Sequence, residues 1–243
     1  SGCGKTTILR MVAGLEAPTE GDIYIKGKRV NDVPIHKRNL GMIFQNYALF
    51  PHKTIFDNVA FGLKYRDVSK SEMKTKVKKA LEMVRLPGVE GRMPSQLSGG
   101  QQQRIAMARA IVIEPDVLLM DEPLSALDEN LREEMRREID NLQQLLGVTT
   151  IFVTHDQREA LSMSDKIIVM NDGLKQQEGS PEEVYNYPRN HFVSDFLGHS
   201  NFFGGVISGV NAETVSVKLR DGNEFRVRHP GDWVDGEPVE LVV

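Results

Sequence analysis

The residues Ser1-Gly2-Cys3-Gly4-Lys5-Thr6-Thr7 open the chain and match the last part of the phosphate-loop pattern G-x-x-x-x-G-K-[ST], whose first glycine would precede Ser1. Gly2 and Gly4 allow backbone N–H groups to turn towards phosphate oxygens. Lys5 can neutralise β- and γ-phosphate oxygens, and the Thr6 hydroxyl can coordinate Mg²⁺. The pattern predicts a nucleotide-binding loop, although the same string taken alone also suits a merely flexible loop.

A second glycine-containing stretch lies far along the chain, at Leu97-Ser98-Gly99-Gly100-Gln101. It places a serine and two glycines at the start of a predicted helix, where backbone N–H groups can hold a phosphate. This geometry suits a phosphate that is bound mainly by another subunit. Taken alone, a Gly-Gly turn of this kind is more often the ordinary start of a helix.

A run of four apolar residues, Val117-Leu118-Leu119-Met120, leads directly into Asp121 and Glu122. Its length, between two prolines, is typical of a buried parallel strand. Because side chains alternate along a strand, Asp121 can hold the Mg²⁺ shell while Glu122 points elsewhere and polarises the attacking water. The alternative is an acidic exit from a strand into a loop, without a catalytic role.

The motifs GCGKTT, LSGGQQQR, LLMDEPLSALD and FVTHD follow one another in this order, and together they resemble the ATPase subunit of an ABC transporter over nearly the whole chain. The resemblance implies that Gln45 links Mg²⁺ and water to the transmembrane contact. It also implies that Asp128 lies in a loop communicating across a dimer and that His155 contacts the γ-phosphate. Each residue also has a plain structural interpretation: Gln45 as the end of a strand, Asp128 as the cap of the next helix, and His155 as a structural residue.

The resemblance further implies a head-to-tail dimer that binds ATP and Mg²⁺ at its interface, with neither subunit completing a site alone. The implied catalytic residues are Glu122, His155 and Gln45. The residues implied to bind ATP are Ser1, Gly2, Cys3, Gly4, Lys5, Thr6, Thr7, Leu97, Ser98, Gly99, Gly100, Gln101 and Asp128. The residues implied to coordinate Mg²⁺ are Thr6, Gln45 and Asp121. Ser98, Gly100 and Gln101 are expected to act on the nucleotide of the opposing subunit.

The composition limits the classes of function. The chain has 243 residues, 30 Lys and Arg against 34 Asp and Glu, and a net charge of −4, so it lacks the overall basic excess that favours nucleic acid binding. Its single cysteine, Cys3, excludes an internal disulfide framework. No apolar run approaches the roughly 20 residues that a membrane-spanning helix needs. We expect a peripheral protein on the cytoplasmic face of the plasma (inner) membrane, held there by a partner.

Alternating strand and helix patterns predict the fold class: an α/β P-loop NTPase with a parallel sheet and a helical subdomain at about 46–115, followed by the start of a small OB-like β domain. Predicted helices lie at 7–13, from Ser69 through an S-x-x-E start, at 102–113, along the apolar stripe 131–146, and after Ser180. Predicted strands lie at 21–28, 41–45, 117–121, 149–153, 166–170 and 174–177.

The composition changes near Gly198, which predicts two domains: an ABC ATPase domain at 1–198, lacking its N-terminal start, and a partial OB-like regulatory domain at 199–243. The second region has short alternating runs at 214–219 and 224–228 between glycine-containing turns. It resembles the beginning of the regulatory extension of importer ATPases of the maltose, polyamine, iron and sulfate groups. The stretch Phe192-Val193-Ser194-Asp195-Phe196-Leu197-Gly198, followed by Asn201-Phe202-Phe203, resembles polyamine or iron(III) importers, which implies one of these as the cargo.

An importer ATPase is therefore the favoured function. The expected partners are a second ATPase subunit, separate transmembrane permease subunits and, indirectly, an extracytoplasmic substrate-binding protein, with no nucleic acid. One alternative is an ABC ATPase of DNA maintenance, which usually carries a long coiled coil, and no sustained heptad tract is present. Another is a non-hydrolysing regulatory subunit, against which the intact Glu122 and His155 argue.

The segment after Gln45 is rich in apolar residues. Tyr47, Leu49, Phe50 and Pro51 are predicted to lie on a surface loop and to leave apolar area exposed unless a partner covers it. This predicts a docking groove for the transmembrane subunit. The alternative is that Leu49 and Phe50 anchor the helical subdomain to the core.

Overall fold

The structure is a computed structural model that describes residues 2–198, 201–211, 213–228 and 232–242. The chain divides into two compact units. The first contains Ser1–Asp165 with Met170–Leu174, and the second contains Lys166–Val169 with Lys175–Val243. The domain division predicted at residue 198 remains a prediction.

Helices and strands alternate through the first unit, as the sequence predicts. In chain order they are α1 (Lys5–Ala13), β1 (Tyr24–Ile25), β2 (Lys28–Arg29), β3 (Leu40–Ile43), α2 (Ile55–Val59), α3 (Lys70–Met83), α4 (Gly99–Ile111), β4 (Val117–Asp121), α5 (Glu129–Leu146), β5 (Thr149–Val153) and α6 (Gln157–Met163). Short 3₁₀ turns occur at Ile35–Lys37, Ala60–Tyr65 and Pro94–Gln96. Strand β3 ends two residues earlier than the predicted strand 41–45, so Gln45 lies beyond it.

The central sheet is parallel, with the strand order β3-β4-β5. Leu40 aligns with Val117, and Asp121 aligns with Val153. Every residue of β4 is buried. Because parallel strands end at the same edge, the residues that follow Ile43, Asp121 and Val153 are brought together there.

The two faces of β4 pack against different layers, because alternate side chains of a strand point to opposite sides. Leu118 and Met120 belong to a large core cluster that also includes α2, α3 and α4. Val117 and Leu119 instead pack with Leu9 and other residues of α1. The sheet therefore lies between the helix that follows the phosphate loop and the helices of the 46–115 region, which confirms the predicted α/β class.

Helix starts follow the sequence closely. The Ser69 hydroxyl accepts a hydrogen bond from the Glu72 N–H at 3.2 Å, which confirms the predicted start of α3. Helix α1 begins at Lys5, two residues before the predicted start, and is followed by its C-cap Gly14, whose φ is 85°. Helix α5 is likewise followed by its C-cap Gly147, also in the left-handed region.

The second unit contains most of the hairpin β6 (Ile167–Asn171) and β7 (Leu174–Gly179), then α7 (Pro181–Asn186) and α8 (His191–Leu197). Its other strands are β8 (Phe202–Val210), β9 (Val215–Leu219), β10 (Glu224–Val227) and β11 (Pro238–Val242). These four form an open antiparallel sheet in the order β10-β9-β8-β11.

One face of this sheet carries a small core of Ile207, Val215, Val217, Leu219 and Leu241. The predicted alternating runs 214–219 and 224–228 correspond to β9 and β10. Within the described part of the chain, none of the helices has both the length and the apolar character needed to cross a membrane.

Candidate functional site

The phosphate loop is built for an anion. Gly2 and Gly4 have φ values of 92° and 91°, a conformation that favours glycine. Gly4 is the N-cap of α1, and no side chain caps the helix. The first-turn N–H groups of α1 therefore lack a side-chain acceptor, and the helix dipole adds a partial positive charge at this end. Ser1, predicted to bind nucleotide, lies outside the described residues.

Lys5 and Cys3 interact within the loop. The Lys5 Nζ donates a hydrogen bond to the Cys3 Sγ at 3.1 Å. Burial alone would raise the pKa of the Cys3 thiol, but the hydrogen bond and positive charge of Lys5 outweigh it and hold the pKa below its ordinary value. This part of the loop therefore favours negative charge.

Thr6 and Asp121 form the pair that the sequence assigns to the metal. The Thr6 Oγ1 donates to Asp121 Oδ1 at 2.8 Å, across 115 residues of sequence. Asp121 is only 8% exposed, because it is the last residue of the buried strand β4. A hydroxyl and a carboxylate oxygen are the donor types that Mg²⁺ takes when phosphates and water complete its shell. The residues present therefore fit Mg²⁺.

Glu122 is the centre of a second cluster. The Gln45 Nε2 donates to Glu122 Oε2 at 3.1 Å, and the His155 Nδ1 lies 3.2 Å from the same oxygen. Gln45 follows β3, Glu122 follows β4 and His155 follows β5, so the sheet edge brings the three predicted catalytic residues together. Gln45 is exposed, and the His155 side chain is 63% exposed, which leaves the cluster open to substrate.

The backbone at Glu122 is held in an unusual conformation. Its φ is 43°, which is uncommon for a residue with a side chain and occurs often at functional sites. The Glu122 N–H donates to the Val153 carbonyl at 2.9 Å, so β5 still supports it. The Ser125 Oγ donates to the Glu122 carbonyl at 2.9 Å. These bonds fix the position from which the Glu122 side chain projects at the edge of the sheet.

Residues around His155 were not identified from the sequence. The Thr154 Oγ1 donates to Glu159 Oε2 at 2.5 Å and accepts from the Asp156 N–H at 2.9 Å, which braces the turn that carries His155. Glu159 is 3% exposed. Burial raises the pKa of Glu159, and the charge of Asp156 adds to the effect against the hydrogen bond from Thr154. In the sequence, the only indication of these interactions is that Thr154 and Asp156 lie in the motif FVTHD and Glu159 lies just after it.

Asp128 does not join the Glu122 cluster through a hydrogen bond in the described residues. Its carboxylate caps α5 by accepting from the Leu131 N–H at 3.0 Å. The capping interpretation of Asp128 is therefore confirmed, and its proposed contact with nucleotide remains a prediction.

The glycine stretch at 97–101 has a self-contained geometry. Ser98 and Gln101 form a capping box: the Ser98 Oγ accepts from the Gln101 N–H at 3.4 Å, and the Gln101 Oε1 accepts from the Ser98 N–H at 3.1 Å. Leu97 is buried, and Gly99 is open to solvent. A Cβ on Gly100 would lie 3.0 Å from the Leu131 side chain, so a larger residue there would require Leu131 to shift by a few tenths of an ångström.

The described residues show no hydrogen bond between this stretch and the phosphate loop. The structure therefore gathers Thr6, Asp121, Gln45, Glu122 and His155 into two adjoining groups and leaves the 97–101 stretch apart from them.

The apolar segment after Gln45 differs from its prediction. Tyr47 is 8% exposed and belongs to the main core, so the expectation that all four apolar side chains lie on the surface is wrong. Leu49 packs against the same core, and the Phe50 ring lies 4.7 Å from the Phe61 ring. Pro51 is exposed. Burial of the larger side chains follows from the packing of this segment on α2 and α4.

A phosphate loop that opens a helix, with Thr6 bonded to an aspartate at the end of a buried parallel strand, defines a P-loop nucleoside triphosphatase. The family described as ABC transporter matches residues 1–125. The chain belongs to the ABC transporter family of ATP-binding proteins.

Solved structures agree with this assignment. The structure of cbiO1 from Clostridium perfringens, described as part of the ABC transporter complex cbiONQ, is 30% identical, covers 77% of this chain and 76% of that chain, and has a TM-score of 0.70. The dimeric structure of MJ0796, described as a bacterial ABC transporter cassette, is 34% identical, covers 74% of this chain and 82% of that chain, and has a TM-score of 0.65. A post-hydrolysis dimer of MJ0796 bound to ADP and Pi is 33% identical over the same shares, with a TM-score of 0.64. The chain is an ATPase of this class and uses ATP and Mg²⁺.

Proposed function

We propose that this chain is the ATP-hydrolysing subunit of an importer, which powers uptake of a small solute through separate transmembrane subunits. The observation that carries the proposal is the arrangement at the sheet edge, where one oxygen of Glu122 is approached by both Gln45 and His155 beside the Thr6–Asp121 pair. A regulatory subunit that only binds nucleotide has no need for such a carboxylate.

The phosphate loop and the end of β4 bind the nucleotide in this proposal. The N–H groups at Gly2, Cys3, Gly4 and Thr7 surround the phosphates, and Lys5 neutralises their charge. Thr6, Asp121 and Gln45 hold Mg²⁺, which when bound neutralises charge on the phosphate oxygens during transfer.

Glu122 is the catalytic carboxylate in this proposal. It orients and polarises the attacking water, because its side chain lies beside Thr6 and Asp121 without being hydrogen-bonded to either of them. His155 contacts the γ-phosphate, and Gln45 reports the nucleotide state towards the membrane partner. Before nucleotide binds, the hydrogen bond from Gln45 and the neighbouring His155 hold Glu122 in place.

The site is completed by a second copy of the chain. Leu97, Ser98, Gly99, Gly100 and Gln101 of one copy contact the ATP held by the other, and Asp128 lies at the same interface. The exposed Gly99 at the start of α4 and the dimeric MJ0796 cassettes support this arrangement. Because the γ-phosphate contacts both copies, ATP closes the dimer and hydrolysis removes the link.

The proposed partners are permease subunits, which place the chain peripherally on the cytoplasmic face of the plasma (inner) membrane, and indirectly an extracytoplasmic substrate-binding protein. The similarity to cbiO1, described as part of a transporter complex, supports the permease. The open sheet β8–β11 is proposed as part of an OB-like regulatory domain. The proposed cargo is a polyamine or iron(III), and stimulation of ATP hydrolysis by one loaded binding protein with the reconstituted permease would identify it.

The substitution Glu122→Gln tests the proposed function. We expect ATP binding to persist and hydrolysis to fall by at least about 100-fold, because the water loses its orienting carboxylate. An ATP-stabilised dimer should accumulate, measured by size exclusion with light scattering. Glu82→Gln, an exposed change on α3, is the matched control and should leave turnover unchanged. Near-normal turnover of Glu122→Gln would reject Glu122 as the catalytic carboxylate.

A further inference from the structure

Two consecutive residues after Gln45 adopt an unusual backbone conformation. Tyr47 has a φ of 60° and Ala48 a φ of 46°, although neither is glycine. L-residues rarely occupy this left-handed region, and two in succession need stabilisation from their surroundings. The turn lies only two residues beyond Gln45, so its conformation decides where the Gln45 backbone points.

The guanidinium of Arg109 supplies that stabilisation. Its Nη2 donates to the Tyr47 carbonyl and its Nη1 donates to the Ala48 carbonyl, both at 2.7 Å. The planar fork of an arginine suits two neighbouring acceptors, and hydrogen bonds from a charged donor are stronger than neutral ones. Both carbonyls belong to the two left-handed residues, so the arginine bonds the strained part of the turn itself.

Arg109 is well placed to hold the turn rigidly. It lies near the end of α4, its neighbours Ala108 and Ala110 are buried, and its guanidinium carbon lies 5.8 Å from the Phe50 ring centroid. Arg109 is partly buried, and this burial lowers its pKa from the ordinary value. Within the described part of the chain, Arg109 forms no salt bridge with a carboxylate, and its hydrogen-bond acceptors are the backbone carbonyls of Tyr47 and Ala48.

The other end of the segment is held separately. Asn58, which is fully buried on α2, accepts from the Phe50 N–H at 2.8 Å and donates to the Phe50 carbonyl at 3.1 Å. The segment from Gln45 to Phe50 is thus fixed by Asn58 at its far end and by Arg109 at the end nearest to Gln45. The turn itself contributes two backbone hydrogen bonds, from the Tyr47 N–H to the Phe44 carbonyl at 2.9 Å and from the Ala48 N–H to the Asn46 carbonyl at 2.7 Å. Among the described residues, Arg109 adds the side-chain hydrogen bonds to the carbonyls of Tyr47 and Ala48.

We propose that Arg109 is a positioning residue for Gln45: by bonding the two carbonyls of the left-handed turn, it keeps the Gln45 side chain within reach of Glu122. The inference rests on the catalytic role proposed for Gln45. Arg109 does not touch the reacting atoms, and it acts through the backbone between Gln45 and Ala48. Its loss therefore affects hydrolysis more than the affinity for ATP.

The first test measures the turn directly, without nucleotide. Arg109→Met keeps the apolar stem and removes the donors, and Arg104→Met is the matched control, because Arg104 lies on the same helix and bonds Glu134 and Glu138 instead. Amide hydrogen exchange of residues 46–50 should rise at least about tenfold in Arg109→Met and remain unchanged in Arg104→Met. Unchanged exchange in Arg109→Met overturns the inference.

The second test is a double-mutant cycle with Gln45→Ala, measured as kcat and KM for ATP. Arg109→Met alone should lower kcat about tenfold and change KM less than about threefold, while in the Gln45→Ala background it should lower kcat less than about twofold further. Effects that multiply show that Arg109 acts elsewhere and overturn the inference. A residue needed only for folding would not produce this selective loss of additivity.

Arg109→Lys provides the conservative variant if Arg109→Met does not fold. The lysine ammonium lacks the planar fork of arginine, so Arg109→Lys should weaken the hold on the turn only in part. Its amide hydrogen exchange at residues 46–50 and its kcat should therefore lie between the wild-type values and those expected when all the donors are lost. Wild-type values for both would overturn the need for the fork. If Gln45→Ala itself leaves kcat unchanged in an active protein, the proposed role of Gln45 fails, and the exchange result still decides whether Arg109 holds the turn.

Discussion

Two glycine-containing helix starts in this chain contrast sharply. At α1, the N-cap Gly4 offers no side chain, and its neighbour Thr6 bonds Asp121 on the distant strand β4. At α4, Ser98 and Gln101 cap each other, and the capping box is complete within four residues. The start of α1 depends on an anion for its N–H groups and on the sheet for the hydrogen bond of Thr6. The start of α4 is capped by its own side chains and leaves Gly99 open to solvent.

The difference suggests a division of roles. A helix start that is locally satisfied keeps its shape whether or not a ligand is present, so it can be carried to a ligand held by another molecule. A start with unsatisfied N–H groups needs the ligand itself. In the proposed dimer, α1 holds the nucleotide of its own chain and α4 meets that of the partner.

The largest expected effect comes from mixing two inactive variants. Ser98→Arg places bulk and charge at the start of α4, and Glu122→Gln removes the proposed catalytic carboxylate, so each homodimer should lose at least about 100-fold in hydrolysis. In a mixed dimer, one site pairs the normal Glu122 of one chain with the normal Ser98 of the other. ATP hydrolysis of that dimer should exceed both homodimers by at least about tenfold.

The control for this experiment places both substitutions on one chain and pairs it with a wild-type chain. Both composite sites are then damaged, so the recovery should disappear. If instead the wild-type chain keeps its full share of activity in this pairing, each site lies within one chain and the contrast between α1 and α4 has been misinterpreted.

A second experiment concerns the segment that follows Gln45. Phe50 is half-buried against Phe61, so Phe50→Asp should destabilise the first unit by about 1–3 kcal/mol, measured by urea unfolding. Tyr65, whose ring packs edge-on against Phe61 and which is 71% exposed, is the matched change.

Tyr65→Asp should leave stability within about 0.5 kcal/mol of the wild type. If Phe50→Asp leaves the isolated subunit equally stable but prevents copurification with the permease, Phe50 belongs to a docking surface and its packing is not needed for the fold.

The smallest effect is expected at Cys3. Lys5 holds the pKa of the thiol below its ordinary value, so the reactive thiolate should persist to lower pH than in a free cysteine. The rate of alkylation against pH should therefore have a midpoint below that of a free cysteine, and Lys5→Met should move that midpoint upwards. ATP should protect the thiol. Equal labelling with and without ATP would place Cys3 away from the phosphates.

Much of the site could be predicted because its residues lie in short sequence motifs, each of which indicates one kind of chemistry. Lys5 and Thr6 lie in the phosphate loop, Asp121 and Glu122 end an apolar run, and His155 follows another strand. The α/β fold class was predictable for the same reason: the alternation of apolar strands and amphipathic helices is a local pattern.

Residues that act through backbone atoms could not be found in this way. Arg109 bonds two carbonyls 61 and 62 residues earlier in the chain, and Glu159 bonds Thr154 and Asp156 on either side of His155. Tyr47 was expected on the surface because its neighbours form a loop, yet packing on the core buries it. A sequence shows residue types and their spacing, but not which distant carbonyl a donor will meet.

The sequence by itself determined the chemistry of this protein: a phosphate loop, two carboxylates at a strand end and a glycine-containing helix start. Only the tertiary structure decided that Gln45 and His155 meet at one oxygen of Glu122. It also decided that Asp128 caps a helix and that a strained turn after Gln45 is bonded by an arginine. The physical reason is that composition and the periodicity of apolar residues are local properties of the chain. These contacts depend instead on the register of parallel strands and on the packing of helices from distant parts of the chain.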